Sequence, residues 1–330
     1  MKAAYIHEPG PPENIVVGDL PTPQPTGSEV LVKITAAAIN PIDTYLRSGA
    51  IAMDLPFPYV PGSDLAGVVE EVGPTASRFH VGDRVWGSNQ GFFGRQGTCA
   101  EYAAVDECWL YATPEDVTDE VAAAGALVGI TAHIGLFRNA SLQAGETLFV
   151  NGGTGGVGST VLQMGKAIGA QVITTGSTAE KLKACKEIGA DLAINYQTEE
   201  IASQVIEFVP AGVNVYWDVT RNPDFDLAVN CLSERGRMIV MAGRESRPEF
   251  PLGPFYVKEL QLSGFVMFKA TPDEQRVCAE DINRWLAEGK YKPRIDRVVP
   301  LDESAAAHRA QQESTVDNTR TLAGKIVVQP

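Results

Sequence analysis

Along the first third of the chain, apolar residues gather in short β-type runs, Glu29-Val-Leu-Val-Lys-Ile34, Ala66–Val72 and Arg84-Val-Trp86, separated by turns rich in Pro and Gly. Such punctuation predicts an irregular, barrel-like β domain, and Met1–Ile6, which meets Glu8 and Pro9 too early for a signal peptide, reads as its first strand. From about Ala122 the texture changes to helix alternating with strand. Strands are expected at Thr147–Asn151, Gln171–Thr175, Leu192–Tyr196, Asn214–Val219, Arg237–Ala242 and Gln261–Phe268. That alternation predicts an α/β fold with a doubly wound parallel sheet. An amphipathic helix over roughly Thr271–Glu288 then leads to two more β-type runs, Arg297–Pro300 and Gly324–Gln329. These resemble the opening strands, so residues 1–124 and 269–330 are expected to form one discontinuous β domain around a nucleotide-binding domain at 125–268. The apolar stretch Val121–Phe137 contains Gly125, Gly129, Thr131 and His133, falls short of a membrane span, and is expected as a buried helix. His133 reads as a core histidine within it.

The junction after Thr147–Asn151 carries Gly153-x-Gly155-x-x-Gly158, with Gly156 and Val157 in between, and opens a helical stretch through Leu162, Met164 and Ile168. Glycines at this spacing let a pyrophosphate approach the backbone while a helix N-terminus aims free N–H groups at it. NAD sites place an acid about 20 residues beyond the glycines, on the adenine ribose. Here Gly176 and Ser177 stand in that place, and Lys181 follows one turn into the next helix. Space, a hydroxyl and a cation suit a 2′-phosphate, so the expected cofactor is NADPH.

The chain has 330 residues, 44% of them hydrophobic, enough for two domains with a large core. A formal charge of −14 disfavours nucleic acid or an anionic membrane as partner. Five scattered cysteines, Cys99, Cys108, Cys185, Cys231 and Cys278, argue against a disulfide framework and for a reducing compartment, the cytoplasm. Glu180, Glu187, Glu199 and Glu200 read as solvated helix faces. In the Gly-rich segment Asn89–Gly97, Phe92 and Phe93 either line an acceptor pocket or anchor the loop.

Five landmarks carry a resemblance: Ala38–Gly49 with Asn40, Asp43 and Tyr45; Pro61–Gly73 with Ser63 and Asp64; Val81–Val85; Gly152–Gly158; and Ala190–Tyr196. Through them almost the whole chain resembles a zinc-free medium-chain dehydrogenase/reductase of the NADPH:quinone oxidoreductase group that includes zeta-crystallin. The resemblance implies a Rossmann domain inserted in a GroES-like, mainly β catalytic domain, with the active site in an interdomain cleft. Zinc-dependent relatives have Cys at the position of Asn40 and His-Glu at Ser63-Asp64, so neither a catalytic nor a structural zinc is expected.

The resemblance also implies site residues. Asn40, Asp43 and Tyr45 would lie beside the nicotinamide, with Tyr45 or solvent as proton donor and Asp43 either catalytic or an orienting, helix-capping group. Thr131 would border the cleft, Tyr196 would cover the 2′-phosphate with Ser177 and Lys181, and Gly243 would approach the ribose. Phe265–Phe268 would lie near the nicotinamide or at a subunit contact. The implied reaction is NADPH-dependent reduction of a quinone, by one or two electrons. The alternatives are reduction of an alkenal, enone or enoyl-thioester double bond, or a structural or RNA-binding role like that of crystallins. A homodimer is expected through the Leu260–Phe268 edge.

Overall fold

The computed structural model describes residues 1–317, 319 and 321–330. The chain divides into two units, one formed by Met1–Val128, Thr271–Ala287 and Pro293–Pro330, the other by Gly129–Ala270 and Glu288–Lys292. The segment 288–292 thus groups with the nucleotide-binding unit and not with residues 269–330. Its hydrogen bonds give the reason: Lys292 N donates to Gln163 Oε1 at 2.8 Å, Gln163 Nε2 donates to Lys292 O at 3.2 Å, and the Tyr291 hydroxyl lies 3.3 Å from Thr160 Oγ1.

Among the described residues, the first unit is built on a seven-stranded sheet whose longest member is Glu29–Ile39. That strand alternates only over residues 32–35, with Val32 and Ile34 buried and Lys33 and Thr35 exposed, and Val30, Val32 and Ile34 pack on Leu65, Val69, Val85, Val105 and Leu110. Asp64–Val72 and Lys325–Gln329 flank it, both antiparallel, with Ala38 opposite Asp64 and Ile326 opposite Ile39. Three strand ends therefore meet just before Asn40. The expected return of the late strands to this sheet is observed: Ile295–Pro300 pairs with Lys325–Gln329.

The second unit holds six parallel strands in the order Leu192–Asn195, Gln171–Gly176, Thr147–Asn151, Val213–Asp218, Leu232–Val240 and Gln261–Gly264. Leu148, Phe149 and Val150 are all fully buried, as a strand covered by helices on both faces requires. The chain leaves Thr147–Asn151 for strands on one side, then crosses to Val213–Asp218 on its other side. That reversal is a topological switch point, where open α/β sheets bind ligands. The edge strand is shorter than expected, ending at Gly264, with a turn of 3₁₀ helix at Met267–Lys269 in place of further strand.

The apolar helix also departs from expectation. It runs from Asp119 to Asn139, 21 residues, because Asp119, Glu120, Arg138 and Asn139 extend it at both ends. It is long and apolar enough to cross a membrane. However, 78% of its most apolar window is buried inside the protein, the burial of a core helix.

Candidate functional site

The glycine turn joins Thr147–Asn151 to the helix Gly156–Ala167, capped by Gly155. Gly152 N donates to Thr175 Oγ1 at 2.9 Å, and Thr175 Oγ1 donates in turn to Asn151 Oδ1 at 2.9 Å, which ties the turn to the neighbouring strand. A Cβ on Gly158 would stand 2.0 Å from Gly152 O, so only glycine lets the helix start so close to the strand. A Cβ on Gly155 would meet no atom within 4 Å. The space beside Gly155, at a helix end whose first N–H groups lack helical acceptors, fits a pyrophosphate.

The two strands beyond it bring the 2′-phosphate candidates together. Asn195 pairs with Gly176, and Tyr196 N donates to Gly176 O at 3.2 Å, so Tyr196 and Ser177 follow adjacent strand ends. Thr178 caps the next helix by accepting from Lys181 N at 3.3 Å. Ser177 and Lys181 are half-buried, and Tyr196 is exposed. Gly243 has a φ of +80°, and a Cβ there would lie 2.1 Å from Arg221 O, so local packing already demands glycine. Val157 follows Gly156 in the first turn of the glycine-capped helix, and Thr131 is buried on the long apolar helix. His133 is buried there too, its ring 4.6 Å from Phe137.

In the first unit, Asn40 caps the helix Pro41–Ser48. Asp43 Oδ2 accepts from Asn40 N at 2.7 Å, and Asp43 Oδ1 accepts from Ser63 Oγ at 2.7 Å. Asn40 Nδ2 donates to Asp64 Oδ2 at 2.8 Å, while Asp64 Oδ1 accepts from Ser88 Oγ at 2.7 Å and from Leu127 N at 3.1 Å. Lys325 Nζ donates to Asn40 Oδ1 and lies 3.8 Å from Asp64 Oδ2. All six side chains are buried. Burial pushes the Asp43 carboxyl up to about 7 against the pull of the Ser63 and Asn40 hydrogen bonds. It also raises Asp64 and lowers Lys325, each shift opposed by the other's charge.

An amide, two hydroxyls, two carboxylates and an ammonium thus fill the place where the resemblance puts zinc ligands in other members. Among the described residues no group of three or more His, Cys, Asp or Glu side chains is arranged to hold a metal. The sequence points to Asn40 and Asp43 but not to Ser88 or Lys325 as members of this cluster. The one available signal is a lysine opening an otherwise apolar strand, Lys325-Ile-Val-Val328.

Tyr45 is half-buried on the same helix, its carbonyl accepting from Ile51 N and Ser48 Oγ, each at 3.2 Å. The two phenylalanines separate. Phe92 is fully buried, whereas Phe93 is 55% exposed at a φ of +52°, with the Arg95 guanidinium 5.8 Å from its ring centre. Phe92 therefore anchors its loop, and Phe93 keeps an exposed face toward solvent. Burial pushes the Cys99 thiol well up and Cys108 up to about 12, so both stay protonated at neutral pH. The acids expected as solvated faces are exposed, but two of them also bond the backbone. Glu200 caps the helix Ile201–Phe208 and Glu199 accepts from Asn195 N at 2.7 Å.

Residues 26–115 match the alcohol dehydrogenase GroES-like domain and residues 156–283 the zinc-binding dehydrogenase family. The chain is 32% identical to the quinone oxidoreductase of Homo sapiens over 310 residues, 93% of each chain. It is 35% identical to the chloroplastic NADPH-dependent alkenal/one oxidoreductase of Arabidopsis thaliana over 324 residues, 96% of this chain and 75% of that one. The Escherichia coli quinone oxidoreductase, solved in complex with NADPH, superposes with a TM-score of 0.85 over 100% of both chains at 25% identity. A parallel nucleotide-binding sheet and a GroES-like β unit together define a nicotinamide-dependent oxidoreductase. The chain belongs to the medium-chain dehydrogenase/reductase family, in its quinone oxidoreductase group.

Proposed function

We propose that this protein reduces quinones with NADPH. The observation that carries the reading is the buried Asn40–Asp43–Ser63–Asp64–Lys325 cluster, which holds neither thiolate nor imidazole at the position of the zinc ligands in metal-dependent relatives. Without a Lewis acid, the favoured acceptor is one that spreads arriving charge onto its own oxygens, as a quinone does. NADPH supplies a hydride, which with one proton converts a quinone to a hydroquinone.

The remaining work belongs to the chain's own backbone and side chains. The Gly153–Gly158 turn receives the pyrophosphate, and Ser177, Lys181 and Tyr196, beside Gly176, receive the 2′-phosphate. Asn40, Asp43 and Thr131 orient the nicotinamide, Gly243 borders the ribose, and Tyr45 or solvent delivers the proton. Phe93, with its exposed ring, is the better of the two phenylalanines for contacting an acceptor. Support for the cofactor comes from the absence of an acid at Gly176-Ser177 and from the NADPH held by the Escherichia coli relative.

The likeness to the Arabidopsis enzyme favours a second reading, reduction of the double bond of an alkenal or enone. The deciding assay is NADPH oxidation by metal-analysed protein with 1,4-benzoquinone, 9,10-phenanthrenequinone and trans-2-hexenal in parallel, with NADH as control. Quinone turnover without zinc supports the first reading, and turnover of hexenal alone replaces it with the second.

We propose further that two copies pair through the edge strand Gln261–Gly264. Leu252, Tyr256 and Val257, on the short helix preceding that edge, are about two-thirds exposed, and Leu262 on the strand is also exposed. Sedimentation as a monomer at micromolar concentration would remove this. Five cysteines, none of them in a disulfide, support a reducing compartment, the cytoplasm, and the charge of −14 disfavours an RNA partner.

A further inference from the structure

Asn89 lies two residues past the strand Arg84–Gly87, and three of its properties are unusual together. Its side chain is fully buried. Neither Oδ1 nor Nδ2 has a hydrogen-bond partner among the described residues. Its backbone sits at a φ of +68°, in the left-handed region that asparagine tolerates better than most side chains. Leaving a buried amide unpaired costs about 1–3 kcal/mol, and native proteins keep few such groups.

Both chain neighbours are tied to the cluster described above. Ser88 Oγ donates to Asp64 Oδ1 at 2.7 Å, and Gln90 N donates to Ser63 O at 3.3 Å. The Gln90 side chain turns back to Ser88 O at 3.1 Å, and Asn89 O is itself held by Arg95 Nε at 2.9 Å. The backbone around Asn89 is thus fixed from both sides, while its amide has no partner among the described residues. A positioned backbone that holds an unpaired amide between two residues bonded to Asp64 and Ser63 of the cluster has the arrangement of a ligand contact.

We propose that Asn89 is a specificity-determining residue whose amide hydrogen-bonds the oxygen of the acceptor. The proposal rests on the quinone reading. An amide suits that substrate in both redox states, because Nδ2–H donates to a quinone carbonyl and Oδ1 accepts from a hydroquinone hydroxyl. An acceptor without oxygen would leave the amide unpaired, so the site discriminates against it.

The test compares two ligands of one shape, 9,10-phenanthrenequinone and phenanthrene, which lacks the oxygens. Their dissociation constants are measured by tryptophan quenching on the NADP⁺-loaded protein, wild type, Asn89→Gly and Asn89→Asp. Glycine adopts the left-handed backbone freely, and aspartate keeps the shape while replacing the NH₂ donor. Wild type should prefer the quinone, and both variants should lose about tenfold in quinone affinity while phenanthrene binding stays within about twofold. Equal shifts for the two ligands, no shift, or a wild type without preference overturns the assignment, the first marking Asn89 as merely structural. If one variant fails to fold, the other decides. Turnover is scored separately: a wild type that prefers the quinone yet does not oxidise NADPH with it removes the quinone reductase reading and leaves the Asn89 contact standing.

Discussion

Lys325 Nζ lies 3.8 Å from Asp64 Oδ2, and the two side chains are 5% and 0% exposed. Removing one member of a buried pair strands the other charge, at a cost of about 3–5 kcal/mol. Lys325→Met should therefore lower the unfolding free energy by about that amount in urea titration. Lys325→Met with Asp64→Asn should recover part of the loss, because the second change removes the stranded carboxylate. If the double variant is no more stable than the single one, the pair is not the source of the cost.

Asp43 and His308 act on stability in opposite directions as pH changes. Burial holds the folded-state Asp43 carboxyl at about 7, above its unfolded value of 3.8. Its contribution is fully present below about pH 4 and is lost as pH rises through 7. Asp43→Asn should flatten that limb, by an amount on the order of 2 kcal/mol between about pH 5 and 8. Denaturant midpoints measured across that range check it.

His308 is fully buried with neither ring nitrogen partnered among the described residues, and burial, helped by Arg47, pushes its pKa down to about 3. A depressed folded-state value means that its contribution is present above the unfolded value of 6.5 and is lost as pH falls through 3. His308→Leu should make the protein less acid-sensitive between about pH 6.5 and 4, seen as a smaller fall in melting temperature. An unchanged acid limb would place the sensitivity elsewhere.

Lys181→Ala should weaken NADPH binding by about tenfold and leave NADH within about twofold, since only NADPH carries the extra phosphate. Equal losses in the two titrations would take Lys181 out of the phosphate site.

The second unit is readable in advance because its signals are local. Apolar runs such as Leu148-Phe-Val150 announce buried strands, and glycines at fixed spacing announce the turn after them. The unexpected members of the first unit's cluster depend on distant pairing. Lys325 reaches Asn40 only because Ile326 falls opposite Ile39, and a one-residue slip in that register would turn it to the other face. Nothing within the stretch Gly324–Gln329 encodes that choice. The expected strand Gln261–Phe268 is too long for a related reason: its β-prone residues continue past Gly264, but pairing with Val240 ends there.

The bond from Lys325 to Asn40 spans 285 positions, with the whole parallel sheet encoded in between. On a translating ribosome at about 5–20 residues per second, Asn40 would emerge roughly 15–60 s before its partner. During that interval Asp64 lacks the cation that the late strand supplies, so the buried pairing of Asp64 with Lys325 is completed only when that strand arrives. The nucleotide-binding unit waits only for the short Glu288–Lys292 segment, so its fold is within reach while the β unit is still incomplete.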